Sequence, residues 1–129
     1  MIVKNLKKSE HFNIEQTGME HYDLMLLVPD KFKEKNLTYK ISWMNPMSYV
    51  RRCAYDIFGV EYDYLFKSRE DDKIQKYMDL MKSGAKFDMP ILNYVKKSQE
   101  GLHRALAAIK LGDAFIPVMI IKEDQKGES

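Results

Sequence analysis

The sequence predicts an α+β fold in which helices pack on a small mixed β-sheet. Residues 38–43 alternate apolar and polar side chains, which is the period of a half-buried strand. Residues 114–121 form an unbroken apolar run, as in a strand that is buried on both faces. Three stretches between these strands repeat apolar side chains with the helical period. With a further strand before the last helix, the predicted order is strand, helix, helix, strand, helix, strand.

Length and composition predict one domain. The chain has 129 residues and is 45% hydrophobic, which is enough to bury a core without disulfides. A single cysteine, no signal peptide and no apolar run near about eighteen residues favour a cytoplasmic protein with no membrane partner. Cys53 falls on the apolar face of a predicted helix, so an inert buried thiol is favoured over a reactive one. The net charge of +2 does not by itself indicate nucleic-acid binding.

The predicted domain covers residues 38–122. Residues 1–37 are expected to form an N-terminal extension that packs on the domain, and residues 123–129 a polar tail. Within the extension, residues 24–28 form a short apolar segment that is either strand or helix and that Pro29 ends.

The first helix is expected to begin after Asn45, a suitable N-cap that precedes Pro46, and to end at Gly59. Its predicted buried stripe comprises Met47, Val50, Ala54 and Ile57. Residues 59–67 are rich in aromatic side chains and fit either an extra strand or an ordered loop that stacks on a base, with packing the favoured use.

A second helix is predicted from a capping box at residues 68–71 to Gly84. Its apolar stripe comprises Ile74, Tyr77, Met78 and Met81. A solvated surface is favoured over a partner-binding role for its polar face, which comprises Lys73, Lys76, Asp79 and Lys82.

A third helix is predicted after a strand at residues 89–95. Ser98 is a suitable N-cap, Gln99 and Glu100 would occupy the first turn, and Gly112 would stop the helix. The predicted core-facing stripe comprises Leu102, Ala105, Leu106 and Ile109.

The opposite side of this helix carries the residues that are best suited to chemistry. Gly101 in the first turn would let a ligand approach backbone N–H groups at the positive end of the helix dipole, which suits phosphate. His103 and Arg104 would add donors, while Glu100 would hold a metal ion or accept a proton. The alternative is that Glu100 and Arg104 are an ion pair on a solvated helix face.

Four short segments carry a family resemblance. These are Glu-Gly-Leu-His-Arg at 100–104, Leu-Gly at 111–112, Ile-Pro-Val at 116–118 and Met-Pro-Ile at 89–91. Together they resemble the signature of the ParB/sulfiredoxin-like family, whose motif is a nucleotide site. The resemblance implies the fold of that family, phosphate binding by Gly101, His103 and Arg104, and a catalytic or metal-directing role for Glu100.

The sequence also departs from that family. Leu102 stands where sulfiredoxins carry a reactive cysteine, so no thiol chemistry is expected. The helix-turn-helix domain of the chromosome-partition branch is not expected either. A kinase branch and nuclease members remain compatible.

Taken together, the sequence predicts a nucleotide- or phosphate-binding domain, and the expected ligands are a nucleoside triphosphate and Mg²⁺. The enzymatic expectation is Mg-dependent phosphoryl transfer, triphosphate hydrolysis or nuclease activity. The alternative is a non-catalytic DNA- or protein-binding module of phage or mobile-element type. The predicted catalytic residues are Glu100, His103 and Arg104, with Glu100 also the metal ligand. The predicted ligand-binding residues are Lys97, Ser98, Gln99, Gly101, His103 and Arg104. Second-tier candidates near the predicted pocket are Trp43, Asn45, Arg51 and Arg52.

Overall fold

The computed structural model describes residues 8–14, 37–68 and 71–123. The predicted apolar segment at 24–28 and the tail after residue 123 lie outside the described residues. The described strands are β1 (Phe12–Asn13), β2 (Leu37–Met44), β3 (Phe87–Asp88), β4 (Ile91–Asn93), β5 (Ser98–Glu100) and β6 (Ile116–Glu123). The described α-helices are α1 (Pro46–Arg52), α2 (Tyr62–Ser68), α3 (Asp71–Lys82) and α4 (Leu102–Lys110). The predicted α+β class is confirmed.

The main sheet has four strands in the order β2-β6-β4-β5. β6 pairs antiparallel with β2 and parallel with β4, and β5 pairs antiparallel with β4. Residues 116–121 of β6 are all buried. The apolar run therefore forms a strand with both faces covered, as predicted.

The predicted strand at 89–95 is shorter than expected, because the chain turns back after Asn93. The Asn93 side-chain oxygen accepts hydrogen bonds from the backbone N–H groups of Val95 (3.0 Å) and Lys96 (2.9 Å). These side-chain hydrogen bonds occupy N–H groups that would otherwise be available for strand pairing, so the strand ends in a turn. The turn closes a hairpin whose second strand is β5. Lys97 completes the turn with a positive φ of 60°.

The first helix begins as predicted. The Asn45 side chain accepts a hydrogen bond from the Met47 N–H at 2.8 Å, and Pro46 is the first helical residue. The helix continues as a π-helix over Cys53–Phe58, which Gly59 ends in the left-handed conformation. Met47 is half-buried and is not among the side chains that pack against the core, so its place in the predicted stripe is wrong, and Tyr49 is fully buried instead.

The aromatic stretch after Gly59 forms helix α2, so both predicted conformations, strand and loop, are wrong. Tyr62 and Leu65 lie three residues apart, which places them on one face of a helix. Leu65 is 1% exposed and packs in the core. Residues 69–70 of the predicted capping box lie outside the described residues.

The core lies between the sheet and the helices. α1 and α4 pack against each other and against the sheet face that carries Leu92, Val118 and Ile120. The predicted burial of Cys53 is confirmed, as is the burial of the α4 stripe, with Ile109 half-buried. A second apolar cluster on the other sheet face comprises Met89, Ile91, Met119 and Ile121. Among the described residues, no helix is both long and apolar enough to cross a bilayer.

Residues 8–14 of the predicted extension pack on the domain. β1 pairs with β3, and the Ser9 N–H donates to the Phe115 carbonyl at 2.8 Å. Near the end of α4, Asp113 Oδ2 accepts from Ser9 Oγ at 2.7 Å and lies 2.9 Å from His11 Nδ1. We call Ser9, His11 and Asp113 the tether cluster, because they fix this segment to the loop after α4.

Candidate functional site

Most of the predicted site residues border one cleft at the start of α4. The cleft has a volume of about 530 Å³, which is the size of a small-ligand site. We call it the α4 cleft. Its described lining residues are Lys73, Lys76, Tyr77, Leu80, Phe87, Gln99, Glu100, Gly101, Leu102, His103 and Arg104.

The chain enters α4 differently from the prediction. Ser98, Gln99 and Glu100 form strand β5, and the helix begins only at Leu102. Ser98 is therefore not the N-cap, because its backbone is used in pairing with β4. The change from strand to helix falls on Gly101, with φ 108° and ψ 16°, a conformation that other residues adopt only with strain.

Gly101 is required by packing as well as by its backbone angles. A Cβ atom there would lie 2.9 Å from Pro90 Cα and 2.8 Å from Arg104 Nη2. The space beside Gly101 is thus filled by protein atoms, which corrects the expectation that its missing side chain leaves room for a ligand. The part of α4 that is suited to bind a ligand in the cleft is its first turn, because the N–H groups there have no acceptor within the helix.

Arg104 is built into the wall of the cleft. Its side chain is 12% exposed, its Nη1 donates to Glu100 Oε1 at 2.9 Å, and its Nε donates to the Asp88 carbonyl at 3.2 Å. The predicted Glu100–Arg104 pair therefore exists, but it joins a strand to a helix and is not a pair along one helix face. Because the Glu100 side chain is 54% exposed, its carboxylate faces the cleft and solvent.

Two further cations reach the cleft from α3. Lys73 and Lys76 are exposed and lie three positions apart, so they share one helix face. With Arg104 they place three positive charges around the cleft, against the single carboxylate of Glu100. Their positions on the polar face of a predicted helix favoured a solvated surface, because helical periodicity does not show which neighbouring element a polar face will meet.

An apolar wall completes the cleft. The rings of Tyr77 and Phe87 pack edge to face with centroids 5.1 Å apart. Leu80, one turn after Tyr77, is 38% exposed beside them. His103 lies on the cleft wall, with its Nε2 atom buried. The cleft thus combines cations with an aromatic surface.

Tyr49 supports the cleft from within the core and is not among the residues that the sequence predicts for the site. Its hydroxyl lies within hydrogen-bond distance of the Glu100 carbonyl (3.1 Å), Gln99 Oε1 (3.1 Å) and the Ile91 carbonyl (3.3 Å). Its single proton serves one acceptor at a time. Burial raises the pKa of Tyr49 well above its ordinary value, so the hydroxyl stays protonated and can donate. No pattern in the sequence indicates this role.

Lys97 and Ser98 lie outside the described lining of the α4 cleft. The hairpin turn carries Lys97 into a separate groove, which Arg52 also lines. The expectation that Lys97 borders the mouth of the motif site is therefore wrong.

The other second-tier candidates also lie away from the described cleft lining and have structural contacts. Asn45 caps α1 and donates from Nδ2 to the Ala114 carbonyl at 3.3 Å. The Arg51 guanidinium lies 5.0 Å from the centre of the Tyr62 ring. The ring of Trp43 is half-buried, with the Lys8 ammonium 4.7 Å from its centre.

Glu100 is the one carboxylate among the described residues that line the α4 cleft. Across the described part of the chain, no group of three or more His, Cys, Asp or Glu side chains could hold a metal ion. Mg²⁺ is commonly bound by one or two carboxylates together with substrate phosphates. The residues present fit that ion as one protein ligand beside a bound nucleotide.

Comparisons with protein-family models, with curated proteins and with solved structures find no match to this chain. The resemblance to the ParB/sulfiredoxin-like family therefore stays a prediction.

Proposed function

We propose that the α4 cleft binds the phosphate groups of a nucleotide, with a nucleoside triphosphate as the expected ligand. The observation that carries the proposal is that Lys73, Lys76 and Arg104 line the same cleft as the first turn of α4. Backbone N–H groups and the positive end of the helix dipole favour an anion there. The two lysines lie on a different helix from the motif, so folding brings the charges together.

The remaining walls of the cleft suit the rest of a nucleotide. Tyr77 and Phe87 present an aromatic surface on which a base can stack, at a cleft volume that suits a small ligand. His103 and Gln99 add polar groups at the same wall. The cleft therefore offers separate surfaces for phosphate and base.

In the enzymatic form of the proposal, Glu100 acts as the base or as a metal-directing carboxylate for phosphoryl transfer, hydrolysis or phosphodiester cleavage. Arg104 holds Glu100 Oε1 at 2.9 Å and so fixes the orientation of the carboxylate beside the cleft. Mg²⁺, when bound with the phosphates, would neutralise charge on them. Lys73 and Lys76 would contribute further neutralisation without covalent chemistry.

Binding is tested on the two lysines, because they are exposed and their removal leaves the core intact. A thermal-shift and calorimetry panel would compare ATP, ADP, CTP and GTP, with and without Mg²⁺, on wild type and on Lys73→Ala/Lys76→Ala. Ligand at a hundred times its dissociation constant stabilises a protein by about 2.7 kcal/mol. We expect a nucleotide to give such a shift in wild type and the double variant to bind at least about tenfold more weakly.

The matched control is Lys86→Ala/Lys110→Ala, which removes the same charge from exposed lysines outside the described cleft lining. Equal binding by both double variants, or no shift with any nucleotide, would contradict the proposal. Turnover is tested separately with Glu100→Gln. This variant is expected to retain nucleotide binding and to lose the phosphoryl-transfer, hydrolysis or phosphodiester-cleavage activity. Full activity in that variant would exclude the role assigned to Glu100.

A further inference from the structure

A second cavity lies where the hairpin turn meets the ends of β2 and β6. We call it the sheet groove; it is open, holds about 1210 Å³, and shares no described lining residue with the α4 cleft. The lining residues that matter here are Lys40, Arg52, Asp56, Tyr94, Lys97 and Lys122. None of them has a role in the proposed nucleotide site.

Four elements each contribute one cation to this groove. Lys40 comes from β2, Arg52 from the end of α1, Lys97 from the turn and Lys122 from β6. Thr38 pairs with Lys122 in the sheet, so Lys40 and Lys122 are diagonal neighbours, which brings two like charges close together. The described lining holds two carboxylates against these four cations, which leaves an excess of positive charge.

Lys97 holds its position against backbone strain. Its φ of 60° lies in the left-handed region, where glycine or asparagine is usual and a lysine is disfavoured. Strained residues of this kind occur preferentially at functional sites. The strained turn places the Lys97 ammonium 6.0 Å from the centre of the Tyr94 ring.

Tyr94 is an oriented aromatic side chain between these cations. Its hydroxyl donates to Asp56 Oδ2 at 2.7 Å, and the Lys122 ammonium lies 5.6 Å from the ring centre. Asp56 itself belongs to the π-helix, an irregularity that is frequent at functional sites. Burial and the Asp56 hydrogen bond raise the pKa of Tyr94, which keeps the phenol neutral.

We propose that the sheet groove binds single-stranded nucleic acid without sequence preference, with phosphates at Lys40, Lys97, Lys122 and Arg52 and a base against Tyr94. A basic groove that contains an aromatic ring is the arrangement used for single strands, since every base offers a face for stacking. The bases of a single strand are free to stack on Tyr94, whereas the bases of a duplex are already stacked on one another and a bilayer has no base to offer. This proposal is independent of the nucleotide site.

The test measures fluorescence anisotropy of a labelled oligo-dT of about fifteen nucleotides across a salt series. Four phosphate contacts predict a slope of log K against log salt of about −2.8, at about 0.7 per contact. Lys97→Gly removes one contact, so we expect the slope to become shallower by about 0.7, to about −2.1. Binding at 0.1 M salt should weaken about fivefold. Because glycine relieves the positive φ, the melting temperature should hold or rise, which separates lost binding from lost folding.

Two controls sharpen the result, one that removes a single charge and one that removes two. Lys110→Ala removes an exposed charge from outside the described lining of both cavities and should leave oligo-dT binding unchanged. Lys73→Ala/Lys76→Ala should also leave it unchanged, even though nucleotide binding at the α4 cleft is weakened.

The proposal is overturned by absence of oligo-dT binding, or by affinity and slope that Lys97→Gly and Lys40→Ala leave unchanged. Loss of binding in the Lys73→Ala/Lys76→Ala variant alone would place the strand in the α4 cleft instead. Equal or tighter binding of a duplex of the same length, or of vesicles that contain anionic lipid, would overturn the assignment to a single strand.

Discussion

Both ends of α4 carry a cluster of polar side chains, but the polar groups of one cluster face each other and those of the other face a cleft. In the tether cluster, the contacts of Ser9 and His11 converge on one oxygen of Asp113, and the serine hydroxyl donates to that carboxylate. In a catalytic triad the serine hydroxyl donates to the histidine, whereas here it donates to the aspartate, so these three residues are not a catalytic triad. At the α4 cleft, the Glu100 carboxylate and the α3 lysines face an open volume. Residue types alone therefore do not distinguish a site from a structural bond; the direction of the polar groups does.

The largest effect on the free energy of unfolding is expected at Gly101, where the chain changes from β5 to α4. Gly101→Ala adds a Cβ at a φ of 108°, 2.9 Å from the Pro90 backbone. Left-handed strain and overpacking together should reduce the free energy of unfolding by about 3 kcal/mol. Gly112→Ala is the control, because φ there is 83° but nothing lies within 4 Å of the added Cβ, so only about 1 kcal/mol of strain is expected. Urea unfolding of both variants gives the loss in the free energy of unfolding for each, and the difference between the two losses is the contribution of overpacking at Gly101. Equal losses would contradict the prediction.

An intermediate effect is expected at the tether cluster. Asp113→Ala leaves Ser9 Oγ and His11 Nδ1 without their shared acceptor and should cost about 2 kcal/mol of unfolding free energy. Because the cluster lies at the other end of α4, nucleotide affinity measured by calorimetry should not change. A loss of affinity with little loss of stability would show that the contrast between the two ends is wrong.

The smallest effect is expected under the cleft, at Tyr49. Tyr49→Phe removes the hydroxyl near the Glu100 carbonyl and should cost about 1 kcal/mol near neutral pH. Burial raises the folded-state pKa of Tyr49 above 10.0, so the folded state holds this proton more tightly than the unfolded state does. Its contribution is therefore complete below about pH 10 and is lost as the pH rises further toward the folded pKa. Chemical unfolding at pH 8 and pH 11 should show a gap between wild type and Tyr49→Phe that narrows with pH; a constant or wider gap would contradict this.

The regular elements of the fold were largely predictable because their signals are local. The cap at Asn45, the stop at Gly59, the apolar stripe of α4 and the buried strand at 116–121 follow from side-chain type and period, and the structure confirms them. Two segments were predicted wrongly: residues 59–67, which contain helix α2 where a strand or loop was expected, and residues 98–100, which form strand β5 where a helix was expected. Ser98 has good N-cap chemistry, but pairing of this segment with β4 overrides that local preference.

The residues that line the two cavities could not be predicted from sequence periodicity, because they depend on how the elements pack against one another. The motif residues 99–104 border the α4 cleft as a group, yet the contribution of Lys73 and Lys76 depends on how α3 packs against α4. Lys97 was assigned to the wrong cavity, because the Asn93 turn reverses the chain just before it. Likewise, the hydroxyl contacts of Tyr49 depend on the hairpin beneath the cleft and leave no trace in the sequence.

The strand order has a consequence for how the sheet assembles. β4, β5, α4 and β6 follow one another within residues 91–123, so their contacts close short loops and form early at low entropic cost. β2 pairs with β6 from the far side of a long loop that contains α1, α2 and α3. Because the cost of closing such a loop rises by only about 0.6 kcal/mol for each doubling of its length, the length of this connection adds little to the cost of pairing β2 with β6. We therefore expect residues 91–123 to form the folding nucleus and β2 to dock on it as the last strand of the main sheet.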